Sequence, residues 1–248
     1  MTGPSEKSVT KTALVTGAAK RIGRAVAFKL AHQGYDIGVH YGVSRDAALR
    51  LCEELGALGV RATPLQADLS QAESIQNLIP AATAALGPLQ VLVNNASVFH
   101  DDRPGSIEVE AWQTHMNTNL LAPVLLSQAF AGQTDLPENA TIINLIDQRV
   151  LKPSPPFFSY GLSKAGLWYA TRTLAQGLAP KVRVNAVGPG PTLPSIHQTQ
   201  DEFEAEAAST LLQKPVTPED IAAAVSYLIE ARAVTGQMIC VDSGQHLS

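Results

Sequence analysis

Short apolar runs alternate with longer amphipathic stretches from one end of the chain to the other, and no other feature narrows the fold so far. The runs are Ala13–Thr16, Asp36–Tyr41, Ala62–Ala67, Val91–Val93, Thr141–Ile146, Val182–Val187 and Met238–Val241. Runs this short and this apolar suit strands buried on both faces, with the stretches between them supplying the cover. The first of those stretches carries Ile22, Val26 and Leu30 at spacing four and is closed by Gly34, a helix with its stop signal. Strand–helix–strand crossovers of this kind build a parallel sheet with helices on both faces, so the class is α/β, doubly wound, with about seven strands.

Helix starts fit the same pattern. Ser70-Gln71-Ala72-Glu73 has the form of a capping box, and Thr217-Pro218-Glu219-Asp220 places Pro at the first helical position with acids behind it. There is no internal repeat, and Lys152–Phe158 and Gly188–Pro194 are too short to separate domains. The chain therefore reads as one domain over 1–248, with 1–11 as a flexible N-terminus.

Composition removes several function classes. Hydrophobic residues at 45% and charged residues at 16% exclude a disordered chain. A net charge of −4 offers no basic stripe for nucleic acid and no attraction to an anionic membrane. The uncharged stretch from Ser74 to His100 is broken by Asn, Gln, Pro and Gly and does not read as a span. A polar N-terminus without an apolar signal core, and Cys52 and Cys240 without CxxC spacing, point to buried, reduced thiols in a cytoplasmic protein. His100-Asp101-Asp102 lacks metal-ligand spacing and reads as a solvated loop, so no metal is expected. His115 and His197 read as incidental.

Doubly wound sheets bind ligands beyond the carboxyl ends of their strands. After the first strand comes Thr16-Gly17-Ala18-Ala19-Lys20-Arg21-Ile22-Gly23. Glycines there let the backbone approach a pyrophosphate, and the helix that follows offers free N–H groups. Arg21 occupies the middle position of the usual three-glycine pattern and, with Lys20, puts two cations at a phosphate site. The second strand ends in His40-Tyr41-Gly42-Val43-Ser44-Arg45, with no acid to grip a ribose 2′-hydroxyl, which favours NADP(H) over NAD(H). Ser44 can cap the next helix, meet the phosphate, or do both. Asp68 is placed to accept from an adenine amine. Asn94-Asn95-Ala96 follows the fourth strand, and Asn119 lies in a helical run. Tyr160 and Lys164, at i and i+4, share a helix face, where the ammonium would lower the phenol's pKa and make it a usable acid.

On Thr16-Gly17…Gly23, Asp68, Asn94-Asn95-Ala96, Asn119, Tyr160…Lys164 and Gly188-Pro189-Gly190, the chain resembles the short-chain dehydrogenase/reductase family over essentially its full length. The resemblance implies a Rossmann-like single domain that moves hydride between a nicotinamide and a small substrate. It implies Tyr160 as the acid, Lys164 on the nicotinamide ribose, and Asn119 anchoring a proton-relay water. It further implies cofactor contacts from Gly17, Arg21, Ile22, Gly23, His40, Tyr41, Ser44, Asp68, Leu69, Asn95, Ala96, Ser97, Tyr160, Lys164, Pro189 and Gly190. One departure is informative, because the family's Ser thirteen residues before the tyrosine is here Asp147.

Together with Ala18-Ala19-Lys20-Arg21, His40-Tyr41, Asn94 to Phe99 and Val187 to Pro191, Asp147 makes the chain similar to the pteridine reductase and dihydromonapterin reductase branch. That implies a pterin-like substrate, with Arg21 on phosphate and substrate, Ser97 and Phe99 lining the pterin site, and Asp147 and Tyr160 managing protons. The branch has Arg where this chain has Val43, and Thr192–Ser209 matches no family substrate loop. Two alternatives stay open. A carbonyl reductase for a 3-oxoacyl thioester or sugar ketone is opposed by the missing Ser. A non-catalytic NADP(H)-binding regulator is opposed by the presence of Asn119, Tyr160 and Lys164. The resemblance also implies a homo-oligomer, a tetramer, with apolar stripes in Leu120–Phe130 and Leu162–Leu178 as candidate contacts.

Overall fold

The computed structural model describes residues 11–194 and 198–248. All seven expected strands form: β1 (Lys11–Val15), β2 (Tyr35–Tyr41), β3 (Ala62–Gln66), β4 (Val91–Asn94), β5 (Ala140–Leu145), β6 (Val182–Pro189) and β7 (Met238–Val241). They lie parallel in the order β3-β2-β1-β4-β5-β6-β7. The chain steps outward from β1 to β3 and then returns to β4 on the other side of β1. The strand order therefore reverses between β1 and β4, which opens a crevice at their carboxyl ends.

Helices α1 (Arg21–His32), α2 (Arg45–Gly56) and α8 (Pro218–Glu230) cover one face; α3 (Ala72–Leu86), α5 (Ala122–Ala131) and α6 (Phe158–Leu178) cover the other. Strand alternation supplies both cores. In β4, Val91 and Val93 pack with Val26 and Leu30 of α1, while Leu92 packs with Leu126 and Phe130 of α5. A short helix α4 (Val109–His115) runs through a π-helical turn, Met116–Leu121, into α5, and α7 (Gln200–Ala208) lies over the carboxyl edge.

Several sequence expectations need correction. Of the supposedly flexible 1–11, Lys11 opens β1 and pairs with Tyr35; residues 1–10 lie outside the described residues. Thr217 and Asp220 do form the capping box of α8. Ser70 caps nothing: its hydroxyl donates to Asp68 at 2.7 Å, and α3 starts from Gln71 without a side-chain cap. Asp68, two residues upstream, holds both the N–H and the hydroxyl of Ser70 in a turn ahead of the helix. Cys52 and Cys240 are free thiols, only half-buried, and burial pushes both up to about 11, which leaves them unreactive. Among the described residues, no helix is long and apolar enough to cross a membrane.

Candidate active site

The glycine turn between β1 and α1 is held by its neighbours. Gly17 sits at φ +62, and a Cβ there would come within 3.1 Å of the Ala96 Cα. A Cβ on Gly23 would meet the Gly17 carbonyl oxygen at 2.3 Å, so α1 lies directly on the turn. Thr16 Oγ1 accepts from the N–H groups of Asn95 at 2.9 Å and Ala96 at 3.0 Å. Asn95 Nδ2 donates back to the Thr16 and Gly17 carbonyls at 2.8 and 3.2 Å. Asn95 and Ala96 thus brace the turn from the end of β4. Arg21 holds φ +54, a left-handed conformation costing a non-glycine roughly 1–2 kcal/mol, which explains why the usual pattern has glycine there. Its guanidinium donates to the carbonyls of Leu193 and Pro194 at 3.3 and 3.1 Å.

At the end of β2, His40 braces the glycine turn. The ring is 2% exposed. Its Nδ1 accepts from the Gly17 N–H at 2.9 Å, while Nε2 faces the Ala67 carbonyl at 3.1 Å and must donate to it. Burial pulls its pKa down to about 4, so the imidazole is neutral and supports the turn, with no charge for a phosphate. The Tyr41 ring lies in the core on the other face of β2. Ser44 occupies the N-cap of α2 without a side-chain cap hydrogen bond, and Arg45 is exposed next to it. Asp68 is exposed and held below the usual carboxylate range by the Ser70 N–H and hydroxyl; Leu69 beside it is buried.

Beyond β5, Asp147 starts a 3₁₀ turn, and its Oδ1 accepts from the Arg149 N–H at 2.9 Å. The Tyr160 hydroxyl donates to its Oδ2 at 2.9 Å. Burial raises Asp147 above the ordinary carboxylate value, against the pull of Arg149, Tyr160 and Lys164. Burial raises the Tyr160 phenol too, and the Asp147 carboxylate adds to it. This corrects the expectation that Lys164 lowers the phenol. The i,i+4 spacing places the ammonium beside the ring, 5.7 Å from its centroid, while a carboxylate meets the hydroxyl itself. Lys164 Nζ donates to the Leu145 carbonyl at 2.9 Å, and burial lowers it to about 8.

Asn119 is fully buried in the π-helical turn. Its amide donates to Val98 O at 3.0 Å and Ser163 Oγ at 3.1 Å, and its oxygen accepts from the Val98 N–H and the Ser97 hydroxyl. Both side-chain donors are spent on protein, so a relay water would have to use the main chain. Phe99 stacks on Phe157 with centroids 4.2 Å apart and meets Tyr160 edge-on at 4.7 Å. Pro189 ends β6 and Gly190 follows it; a Cβ on Gly190 would fall 2.5 Å from the Asp242 Cα.

Asp102 and His115 also depart from expectation. Asp102 is buried, not solvated, and its Oδ1 accepts from the Ser159 N–H at 2.9 Å at the start of α6. His115 is fully buried, its Nδ1 2.6 Å from Ser159 Oγ and its Nε2 accepting from the His100 N–H at 3.0 Å. Together they set the first turn of α6, which carries Tyr160. No local pattern announces them, because Ser159 lies 57 and 44 residues away along the chain. His197 lies outside the described residues. Among those residues no cluster of His, Cys, Asp and Glu could hold a metal ion.

Arg21, Asn95, Phe99, Asp147, Tyr160 and Lys164 line one cleft of about 780 Å³, while His40, Ser44, Asp68 and Asn119 lie outside its lining. Its outer wall comes from α7 and the C-terminal segment, where Glu206 accepts from the side-chain amides of Gln198 and Gln245 at 2.6 and 2.7 Å. Arg149 and Phe157 also line it. Sequence reasoning missed both, although Arg149 sits only two positions after Asp147.

The short chain dehydrogenase family model matches residues 11–205. The 3-oxoacyl-[acyl-carrier-protein] reductase FabG of Staphylococcus epidermidis is 31% identical over 96% of this chain and 100% of its own length. Glucose 1-dehydrogenase 2 of Bacillus subtilis is 32% identical over 96% of this chain and 95% of its own. Among solved structures, FolM alternative dihydrofolate reductase 1 from Brucella suis in complex with NADP is 41% identical with a TM-score of 0.93, covering 96% of each chain. A blue fluorescent protein from a metagenomic library in complex with NADPH is 32% identical with a TM-score of 0.88, over 95% of this chain and 97% of that one.

Proposed function

The chain belongs to the short-chain dehydrogenase family, and on that premise we propose that it uses NADPH to reduce a dihydropterin to its tetrahydro form. The observation that carries the substrate class is the 2.9 Å hydrogen bond from Tyr160 to Asp147. A carbonyl reductase needs a neutral donor beside the phenol, since a carboxylate there opposes the negative charge growing on a carbonyl oxygen. A pterin presents ring nitrogens and a 2-amino group, for which an acceptor and a proton source are fitting partners. FolM from Brucella suis, similar over nearly the whole chain, supports this reading. The 3-oxoacyl reductases among the relatives favour the carbonyl alternative. Asp147, standing where the family usually has Ser, weighs against it.

Bound NADPH would supply hydride to the carbon of a C=N bond. The chain's own groups do the rest. Helix α1 and the glycine turn receive the pyrophosphate, while Asp68 and Leu69 lie towards the adenine. Arg21, Ser44 and Arg45 face the extra phosphate; His40 keeps the turn in shape but adds no charge. Lys164 meets the nicotinamide ribose. Tyr160 gives its proton to the substrate nitrogen and is resupplied through Asp147, whose raised pKa suits that part. Ser97 and Phe99 line the substrate's seat, with the planar ring lying on Phe99.

We further propose one cytoplasmic domain that assembles as a homotetramer. Leu121, Leu162 and Tyr169 are exposed large apolar side chains at the π-helical turn and on α6. A monomeric mass by light scattering would overturn the assembly. The catalytic reading is tested by following NADPH absorbance with 7,8-dihydrobiopterin, dihydrofolate and a diketone, each repeated with NADH. Pterin turnover with NADPH preferred tenfold to a hundredfold is expected, since a charge-assisted phosphate contact contributes about 1.5–3 kcal/mol. Equal turnover with NADH overturns the cofactor reading, and reduction of the diketone alone overturns the substrate.

A further inference from the structure

One guanidinium shares the cleft with the proposed proton pair and has no part in the chemistry above. Arg149 belongs to the 3₁₀ turn Gln148–Val150 and lines the cleft, half-buried. Its N–H holds Asp147 Oδ1 at 2.9 Å, and its side chain donates to Ser154 Oγ at 3.3 Å. The guanidinium carbon stands 5.2 Å from the Phe157 centroid, within cation–π range. Phe157 holds the left-handed conformation, φ +58, at the N-cap of α6. A β-carbon is disfavoured there, so the ring must be held from outside. Phe157 in turn stacks on Phe99, whose ring meets Tyr160 edge-on. Arg149, Phe157, Phe99 and Tyr160 thus form one connected series of contacts.

We infer that Arg149 is a positioning residue with two separable tasks: its planar fork fixes the Phe157–Phe99 shelf on which a flat substrate rests, and its permanent charge sets the pH at which the Asp147–Tyr160 pair delivers its proton. The inference rests on the proposed reductase reading.

Of the other charged groups around the pair, Lys164 shares the second task only in part, drawing down Asp147 but not Tyr160. Lys164 on α6 is spent on the Leu145 carbonyl and is itself drawn down to about 8. His115 at the end of α4 is buried, and burial lowers it towards the neutral form. His100 lies beyond it, and Asp102 is committed to the start of α6. Arg21 reaches across to Leu193 and Pro194. Glu202 and Glu206 on α7, and Asp242 after β7, bring negative charge. Arg149 acts on both members of the pair, drawing down Asp147 and Tyr160 alike.

Two variants separate the tasks. Arg149→Met keeps the bulk and removes the charge; Arg149→Lys keeps the charge and removes the planar fork. Each is compared with the wild type in NADPH oxidation with 7,8-dihydrobiopterin across pH. Removing a cation makes the acid pair hold its proton more tightly, so the alkaline limb of the Met variant should move up. A shift of about half to one pH unit is expected, since the guanidinium is half exposed and partly screened. Arg149→Lys should restore the limb. Both variants should raise KM several-fold, because neither can stack its fork on Phe157, while NADPH affinity by fluorescence titration stays unchanged and certifies the fold.

Unaltered pH limbs and KM in both variants overturn the inference, and a limb that Lys does not restore overturns the charge task. A lost NADPH affinity does so as well, since it makes the residue merely structural. If the wild type turns over the diketone and not the pterin, the substrate reading fails, and the same profiles measured on the diketone decide the role of Arg149.

Discussion

The neutral His40 makes a quantitative demand on acid stability. The ring is 2% exposed, accepts from Gly17 on one nitrogen and donates to Ala67 on the other, and ionises only near pH 4 against an ordinary 6.5. In the unfolded chain the same imidazole takes up its proton as pH falls through 6.5. Between the two values the unfolded state therefore binds more protons than the folded one, and stability drops as pH falls across that window. Above 6.5 the contribution is complete; below about 4 it is gone. A displacement of about 2.5 units at 1.36 kcal/mol each gives roughly 3 kcal/mol.

The assay is urea unfolding followed by circular dichroism at fixed protein concentration, for wild type and His40→Gln, from about pH 7 down to about pH 4.5. The variant should be less stable at neutral pH, since the terminal amide does not reproduce the two separated ring nitrogens that serve Gly17 and Ala67 together. The gap should then close as pH falls, by about 2 kcal/mol at pH 5. His115 is also held towards its neutral form by burial, but both proteins carry it, so it cancels in the difference. NADPH affinity of the wild type should hold across most of this window and decline only as pH nears 4, where the folded ring takes its proton and can no longer accept from the glycine turn. A wild-type minus variant difference that stays flat across the window refutes the argument.

Tyr160→Phe should lower turnover about 10²- to 10⁴-fold with NADPH binding nearly intact, since the ring still packs on Phe99 and only the proton is lost; near-wild-type rates would remove Tyr160 from the chemistry. Gly23→Ala should abolish measurable NADPH binding in a fluorescence titration, because its Cβ would meet the Gly17 carbonyl at 2.3 Å and backbone cannot swing aside as a side chain can. Undiminished affinity would mean that α1 does not seat the cofactor. Asp147→Ser should cut dihydropterin reduction at least tenfold, about 1.4 kcal/mol of transition-state stabilisation, while raising weak diketone reduction. A Ser variant with full pterin activity would return the chain to the general carbonyl reductases.

The order of strands and helices, the glycine turn, the cap at Thr217 and the pairing of Tyr160 with Lys164 on one helix face were all legible along the chain. Each depends on residues within a turn or two of one another, and periodicity encodes that directly. At Ser70 the turn that binds its N–H and hydroxyl to Asp68 formed instead of the helix cap, and spacing alone did not rank the two. Charge states and shelf contacts were decided only in three dimensions. The sequence put His40 among the cofactor contacts but did not show that burial against Ala67 and Gly17 keeps its ring neutral. Tyr160 looked like a phenol softened by Lys164 until the end of β5 set a carboxylate against its hydroxyl. Asp102, His115 and the series from Arg149 to Phe99 join segments distant in sequence, with no periodicity to announce them. A side chain's proton affinity depends on what surrounds it and how far water is excluded, and both are properties of the packed fold.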